Sequence, residues 1–178
     1  MPRTDLDQRP SLADTRQYRV SRYSQQFKVP DPELERLEVF AGSWTTEGEL
    51  GPGAEQGPDS PQAGTPVTGT DSYEWLPGRF FMLHRWNWKI GETSFEGMSV
   101  IGYDPETSAF PMHNFDNLGY SRMYQASVTD RTWTYLGVSE RAVVVVGEDG
   151  NSITYRWERR ENGNDWLPLC EVRTARVG

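Results

Sequence analysis

From Gly42 to its end, the sequence is a succession of short segments in which apolar and polar residues alternate, separated by turns rich in glycine, proline, asparagine and aspartate. Alternation with a period of two is typical of a β-strand with one buried face. The pattern predicts about ten strands. After the first, which begins at Gly42, they occupy residues 67–75, 79–88, 93–103, 109–116, 121–128, 132–137, 140–146, 152–159 and 166–177.

Most connections between these strands have the length of a hairpin turn. Consecutive antiparallel strands leave two exposed sheet edges unless the sheet closes, and closure removes that aggregation hazard. We therefore predict an all-β fold, a closed antiparallel up-and-down β-barrel. A two-sheet sandwich is the alternative, but its Greek-key crossings need longer connections than most of these. The long connection at 51–66 is rich in glycine and proline and is interpreted as a flexible insertion rather than a lid.

A short amphipathic helix is predicted at 31–40, before the first strand. Asp31 supplies a capping acceptor, and the Pro-Glu pair that follows it suits the first helical turn. The apolar residues fall near one stripe, which we expect to plug one end of the barrel: Leu34, Leu37 and Val39 or Phe40.

Residues 1–30 show no sustained apolar period, and we interpret them as a flexible or partner-wrapping arm. The predicted organisation is therefore an arm at 1–30 and a barrel domain at 31–178. A length of 178 residues suits one such domain.

The charge of the chain excludes several classes of partner. Eighteen Lys and Arg against 26 Asp and Glu give a formal charge of −8, which would repel nucleic acid and anionic membranes. No apolar run resembles a signal peptide or a membrane span, and the single cysteine, Cys170, lies in a late strand as a buried, inert thiol. We expect a cytoplasmic protein with a small-molecule partner, and a homodimer is left open.

Several motifs carry a family resemblance. Gly42-Ser43-Trp44 after an amphipathic helix is similar to the Gly-x-Trp opening of the calycin superfamily, which includes lipocalins and fatty-acid-binding proteins. With four further motifs, the chain more closely resembles the DUF1579 family of uncharacterised bacterial proteins over residues 32–177. Those motifs are YEWLPG at 73–78, VIGYDPET at 100–107, FDN at 115–117 and ITYRWE at 153–158. The resemblance implies a barrel with a central cavity and no particular activity.

The resemblance also has implications for two positions in the last strand. In calycins, the opening tryptophan is covered by an arginine or lysine from the final strand, and here Arg176 is preferred over Arg173 as the partner of Trp44. The related nitrobindin-like barrels bind haem through a histidine near the C-terminus, but residues 166–176 contain no histidine. We therefore expect no haem and no other cofactor.

The familiar catalytic motifs are missing from the sequence. With two histidines a three-histidine zinc site is excluded, no metal-ligand spacing is recognisable, and there is no nucleophile elbow, Walker loop or dinucleotide fingerprint. Aromatic residues make up 12% of the chain, and they either line a cavity or fill the core. Any enzyme of this kind would depend on acid–base chemistry, positioning or shape.

The segment at 80–88 is the most informative. Alternation places Phe80, Met82, His84, Trp86 and Trp88 on one face, which is the better cavity lining. Among aromatic walls, His84 could exchange a proton near neutral pH. The alternative is a core histidine that is satisfied by a hydrogen bond to a neighbour.

Charged residues in the later strands provide further candidates. An arginine pointing inward, Arg141 or Arg156, could hold a carboxylate or enolate, although Arg156 and Glu158 face outward if Tyr155 and Trp157 face inward. The predicted catalytic residues are His84, Glu96 and Arg156. The predicted ligand-binding residues are Met82, Trp86, Trp88, Tyr73, Asp116, Tyr124, Arg141 and Glu158.

Three hypotheses follow. The first is a barrel that binds a small hydrophobic or amphipathic metabolite. The second is an enzyme of the same fold, a cyclase, isomerase or lyase acting on a polyketide-like or terpenoid-like substrate. The third is an interaction protein that acts through its arm. A cavity below about 300 Å³ would favour the third. A carboxylate or arginine partner for His84 would favour the second over the first.

Overall fold

The computed structural model describes residues 28–55, 57, 60–160 and 165–178. Residues 1–27 of the predicted arm lie outside this part of the chain. A 3₁₀ helix, Pro32–Phe40, precedes the first strand, and a short 3₁₀ turn, Pro52–Ala54, follows it. The strands are β1 Gly42–Leu50, β2 Pro66–Trp75, β3 Met82–Ile90, β4 Thr93–Ile101, β5 Phe110–Asp116, β6 Ser121–Thr129, β7 Thr132–Leu136, β8 Glu140–Val146, β9 Ser152–Arg159 and β10 Leu167–Arg176.

The ten strands form one closed barrel. Each pairs antiparallel with its neighbours in sequence, and β1 pairs with β10 from Trp44 opposite Arg176 to Leu50 opposite Cys170. The predicted all-β, closed, up-and-down barrel is confirmed, and the sandwich is excluded. The third strand begins at Met82 rather than at residue 79, because the turn after β2 closes with a hydrogen bond from Leu76 N to Phe81 O.

The N-terminal helix is present where the sequence predicts it, in the 3₁₀ form. The Asp31 carboxylate accepts a hydrogen bond from Glu33 N at 3.0 Å, as expected of the cap. A 3₁₀ helix has three residues per turn, so Leu34, Leu37 and Phe40 share one face, and all three are buried. Of the two alternatives for the last position, Phe40 is therefore the core residue.

The guanidinium of Arg176 stacks on the ring of Trp44, as predicted. The indole is fully buried and donates its N–H to Phe40 O at 2.8 Å. The Arg176 guanidinium lies 4.1 Å from the indole centroid and donates hydrogen bonds to the backbone carbonyls of Ala41, Val39 and Gly150. This one side chain therefore ties the helix, β1 and the β8–β9 turn together.

The described parts of the connection after β1 contact neighbouring strands. Gly51 N donates to Leu169 O at 2.8 Å, Gly64 N donates to Leu50 O at 2.8 Å, and Ala54 is buried. The 3₁₀ turn Pro52–Ala54 packs against β10. Within the described residues, no helix is long and apolar enough to cross a membrane.

Candidate ligand-binding cavity

The barrel contains a partly open cavity of about 170 Å³, which is lined by residues of the strands from β2 through to β10. Inward-facing residues of alternate positions line it, because successive side chains of a strand point to opposite faces of the sheet. Eight of the eighteen lining residues are aromatic, and the ionisable Asp, Glu, His and Arg side chains of the lining form two separate clusters. The aromatic lining residues are Tyr73, Trp86, Trp88, Phe95, Tyr124, Tyr135, Tyr155 and Trp157.

One polar cluster surrounds His84. Its Nε2 lies 2.8 Å from Asp71 Oδ1 and its Nδ1 lies 3.2 Å from Ser99 Oγ, so both ring nitrogens are occupied. Asp71 has a side chain only 3% exposed, and it also accepts hydrogen bonds from Trp88 Nε1, at 2.9 Å, and from Thr46 Oγ1. A buried carboxylate with three donors is well satisfied. This cluster fixes the orientation of the imidazole.

Buried phenols adjoin this cluster. Tyr73 lies flat against His84, and its hydroxyl is 2.9 Å from that of Tyr155. Burial raises the pKa of Tyr73 and of Tyr155 well above the ordinary value, and it raises the pKa of Tyr135 as well. These three phenols therefore stay protonated near neutral pH, where they act as hydrogen-bonding groups.

The second polar cluster centres on Arg122. Its Nη1 lies 2.6 Å from Asp116 Oδ2 and its Nε lies 3.4 Å from Glu140 Oε1. Tyr124 donates its hydroxyl to Glu140 Oε2, and burial together with the Glu140 carboxylate raises the pKa of Tyr124. Asp116 Oδ1 also accepts the backbone N–H groups that follow it in the turn. The arginine is thus held by two acids rather than left free for an anion.

The cavity wall as a whole carries more acidic than basic groups. Asp71, Asp116 and Glu140 provide three carboxylates and Arg122 one guanidinium, so the formal charge of the lining is −2 when His84 is neutral. Cys170 lines the same cavity, and burial, with a smaller contribution from Glu140, raises its pKa to about 12. The thiol is protonated and unreactive near neutral pH.

Comparison with known proteins identifies the family. The family model described as "Protein of unknown function (DUF1579)" matches residues 29–161. The chain belongs to the DUF1579 family. The crystal structure of Rv2717c from M. tuberculosis is similar in fold, with a TM-score of 0.56 over 84% of this chain and 99% of that one, at 11% sequence identity. No curated protein matches the sequence. DUF1579 membership therefore supplies an architecture, and a function has to be argued from the cavity.

Six of the predicted site residues line the cavity of this DUF1579 barrel: Tyr73, His84, Trp86, Trp88, Asp116 and Tyr124. Met82 is fully buried on the same face of β3 but lies outside the lining. On β9, Tyr155 and Trp157 face inward, which settles the orientation that the alternation left open.

Four predicted site residues do not reach the cavity. Glu96 is exposed and accepts a hydrogen bond from Ser94 Oγ at 2.7 Å. Arg156 and Glu158 lie on the outer face of β9, where they pair with Glu171 and Arg141 respectively. Successive side chains of a strand point to opposite faces of the sheet, so the sequence neighbours of the inward-facing Phe95 and Tyr155 point outward. Glu96 and Arg156 are therefore dropped as catalytic residues, and Arg141 and Glu158 as ligand contacts.

Four polar residues of the cavity were missed by sequence reasoning: Asp71, Arg122, Glu140 and Asn114. Each stands two positions from a residue that faces inward, since Asp71 precedes Tyr73 by two and Arg122 precedes Tyr124 by two. Glu140 likewise precedes Ala142, which is buried. A period of two counted from the predicted Tyr73 and Tyr124 would have found the first two.

The lining does not suit a metal or haem. In the part of the chain that the structure describes, no three His, Cys, Asp or Glu side chains are grouped as metal ligands would be. A volume of about 170 Å³ is comparable with a single aromatic ring and its substituents, much smaller than a tetrapyrrole. On β10 the cavity is lined by Leu169 and Cys170, and this strand contains no histidine to ligate iron.

Proposed function

We propose that this DUF1579 protein binds a small amphipathic molecule, about the size of one substituted ring, inside the barrel. The observation that supports it most directly is the cavity inside the barrel, which is rich in aromatic residues and carries clusters of charged side chains at two places on its wall. Concave, largely apolar sites with a few fixed polar groups are the usual form of small-molecule sites.

The cavity volume sets the size of the ligand. An apolar cavity of about 150 Å³ is enough to bind benzene. At about 170 Å³ the barrel falls below the 300 Å³ at which drug-sized sites begin, so a polyketide-like or terpenoid-like ligand is disfavoured. Volume alone would favour the arm hypothesis, but most of the arm, residues 1–27, lies outside the described part of the chain. The polar groups of the wall give binding the better support.

Binding is favoured over catalysis by the surroundings of His84. Its contact with Asp71 supports the alternative, an enzyme that acts by acid–base chemistry. However, Ser99 occupies the other ring nitrogen and Tyr73 covers a ring face, so no nitrogen of the imidazole is free to meet a substrate. The arrangement suits a histidine that organises the wall.

We also propose that the N-terminal helix closes one end of the barrel. Phe40, its last residue, contacts Tyr73 at 5.5 Å and Trp133 at 5.2 Å between ring centroids. Tyr73 lines the cavity and Trp133 belongs to the buried core, so the helix lies against the wall of the binding site.

A cavity-filling substitution tests the function. Leu169 lines the cavity, whereas Leu167, on the same strand, is 51% exposed and does not. Leu169→Trp should abolish binding of toluene measured by calorimetry, and Leu167→Trp should leave it unchanged, with circular dichroism showing that both variants fold. Failure of toluene, phenol and benzamide alike to bind the wild-type protein would overturn the proposal.

A second experiment identifies the natural ligand and separates binding from catalysis. Native mass spectrometry of protein isolated from its own host should show a bound molecule no larger than a substituted ring. That molecule should be recovered unchanged after incubation with the protein. A chemical change that disappears in His84→Ala would favour the enzyme instead.

A further inference from the structure

Two buried polar atoms of the cavity wall lack a hydrogen-bond partner within the described residues. They are the indole Nε1 of Trp86 and the amide Oδ1 of Asn114. Trp86 is only 7% exposed, and both residues line the cavity. An unpaired buried polar group costs about 1–3 kcal/mol, so such atoms are expected to meet a partner.

The fold brings the two side chains to the same part of the wall. Trp86 on β3 is opposite Gly97 on β4, and Gly97 is opposite Asp116 on β5, two residues beyond Asn114. A Cβ at position 97 would lie 2.7 Å from Cε2 of Trp86, the ring atom bonded to Nε1. The indole therefore lies across Gly97, on the strand that pairs directly with β5, which carries Asn114.

The chemistry of the two atoms specifies the complementary group. An indole N–H only donates, and a side-chain amide oxygen only accepts. A ligand that satisfies both must offer an acceptor and a donor close together. A carboxylate has no donor for Asn114, and an ammonium has no acceptor for Trp86.

The charges of the cavity wall also disfavour a carboxylate ligand. Asp116 and Glu140, both lining the cavity, already hold Arg122 between them, so an incoming carboxylate would meet acids without a free cation. This arrangement also differs from the sequence-based expectation, in which an inward arginine holds a carboxylate or enolate.

We propose that the ligand is a neutral molecule of one ring bearing a carboxamide or an equivalent lactam edge, whose carbonyl accepts from Trp86 Nε1 and whose N–H donates to Asn114 Oδ1. This assignment rests on the proposed binding function and specifies its ligand class. The ring occupies the aromatic part of the cavity, where Tyr135 and Trp157 form the wall.

Four probes of one ring size test the assignment by calorimetry: benzamide, toluene, benzoate and benzylammonium. Two net hydrogen bonds predict that benzamide binds at least about tenfold more tightly than toluene. Trp86→Phe keeps a ring but removes the N–H, and Asn114→Leu removes the acceptor. Each should reduce the benzamide-to-toluene ratio to about threefold or less. Using this ratio cancels changes in ring packing.

Matched controls lie outside the cavity. Trp166 contacts the guanidinium groups of Arg141 and Arg160 through its ring, and Asn87 is exposed on β3. Trp166→Phe and Asn87→Leu should leave the ratio unchanged. In addition, the indole N–H signal of Trp86 in a ¹H–¹⁵N spectrum, identified by its loss in Trp86→Phe, should move downfield with benzamide and not with toluene.

The outcomes separate the two proposals. Equal binding of toluene and benzamide would show that water satisfies the two atoms, and it would overturn the carboxamide assignment while leaving the binding function intact. Tighter binding of benzoate or benzylammonium than of benzamide would also overturn the assignment. If none of the four probes bound, the proposed binding function itself would be overturned.

Discussion

Tyr73 lies flat against His84, with ring centroids 4.0 Å apart and planes that differ by 1°. Tyr73 also stacks on Phe40 of the N-terminal helix, and His84 contacts the buried carboxylate of Asp71. The pair therefore connects the helix to a deeply buried carboxylate of the cavity wall. A network of this kind is rigid when every member is satisfied, and it is costly to break.

Replacement of His84 should therefore lower the stability of the fold. His84→Ala removes one of the three donors to Asp71, whose side chain is only 3% exposed, together with the stack on Tyr73. We expect the free energy of unfolding to fall by about 2–4 kcal/mol. Urea denaturation monitored by tryptophan fluorescence measures this change.

The second histidine of the chain provides the control. His113 is exposed on the outer face of β5, so His113→Ala should change the free energy of unfolding by less than about 0.5 kcal/mol. His84→Phe keeps an aromatic ring against Tyr73 but not the hydrogen bonds. If His84→Phe were as stable as the wild type, packing rather than the Asp71 contact would explain the role of this residue.

Arg176 should contribute to stability through its geometry as well as its charge. Its guanidinium covers Trp44 and donates to three backbone carbonyls. Arg176→Ala should lower the free energy of unfolding by about 2–4 kcal/mol. Arg176→Lys should recover less than half of that loss, because an ammonium cannot reproduce a planar fork.

Arg173 is the matched control for this prediction. It lies on the exposed face of the same strand, so Arg173→Ala should change the free energy of unfolding by less than about 0.5 kcal/mol. Equal losses for the two alanine variants in chemical denaturation would contradict a special role for Arg176.

The architecture could be predicted because each strand is marked locally, by alternation and by its turn. Trp44 and Arg176 were paired through the resemblance to calycins, and closure of the barrel brings the two residues together by placing the first and last strands side by side. The face of each strand was harder to assign. In β9, Tyr155 and Trp157 alternate with charged residues, and a tyrosine or tryptophan is compatible with either face. Only pairing with β8 and β10 settles the choice.

The inward face of β4 is difficult to recognise in the sequence. Its inward positions are Phe95, Gly97, Ser99 and Ile101, and the two small residues in the middle weaken the apolar period. Glu96 was selected as a polar candidate of a neighbouring strand, although it faces outward. Contacts between distant strands, such as that of Asp71 with His84, depend on register and cannot be obtained from a single segment.

Alkaline pH should destabilise the barrel through its buried phenols. Tyr73, Tyr124, Tyr135 and Tyr155 have folded-state pKa values raised mainly by burial. Above about pH 10 the unfolded chain loses these protons while the folded chain keeps them, so stability that is complete below pH 10 declines as the pH rises. Well above pH 10, each phenol contributes a limiting slope of about 1.4 kcal/mol per pH unit.

Denaturation between about pH 9 and pH 11 checks this decline, which for four phenols totals about 5–6 kcal/mol over that range and becomes steeper at higher pH. Tyr135→Phe should reduce it by about a quarter. Tyr120→Phe should not change it, since Tyr120 is 57% exposed. A slope that is the same in Tyr135→Phe and in the wild type would show that the buried phenols do not control alkaline stability.

Gly97 should be required for the position of Trp86 and therefore for binding. A Cβ at this position would overlap the Trp86 ring and the Phe115 carbonyl oxygen. Gly97→Ala should lower the free energy of unfolding by about 1–3 kcal/mol and weaken toluene binding, because the displaced indole enters the cavity.

The double variant Gly97→Ala, Trp86→Phe should recover part of the stability, since a smaller ring relieves the overlap with the side chain. Gly57 has open space around it, so Gly57→Ala should affect neither quantity. Strict additivity of the two substitutions in the double-mutant cycle would contradict a direct contact between positions 86 and 97.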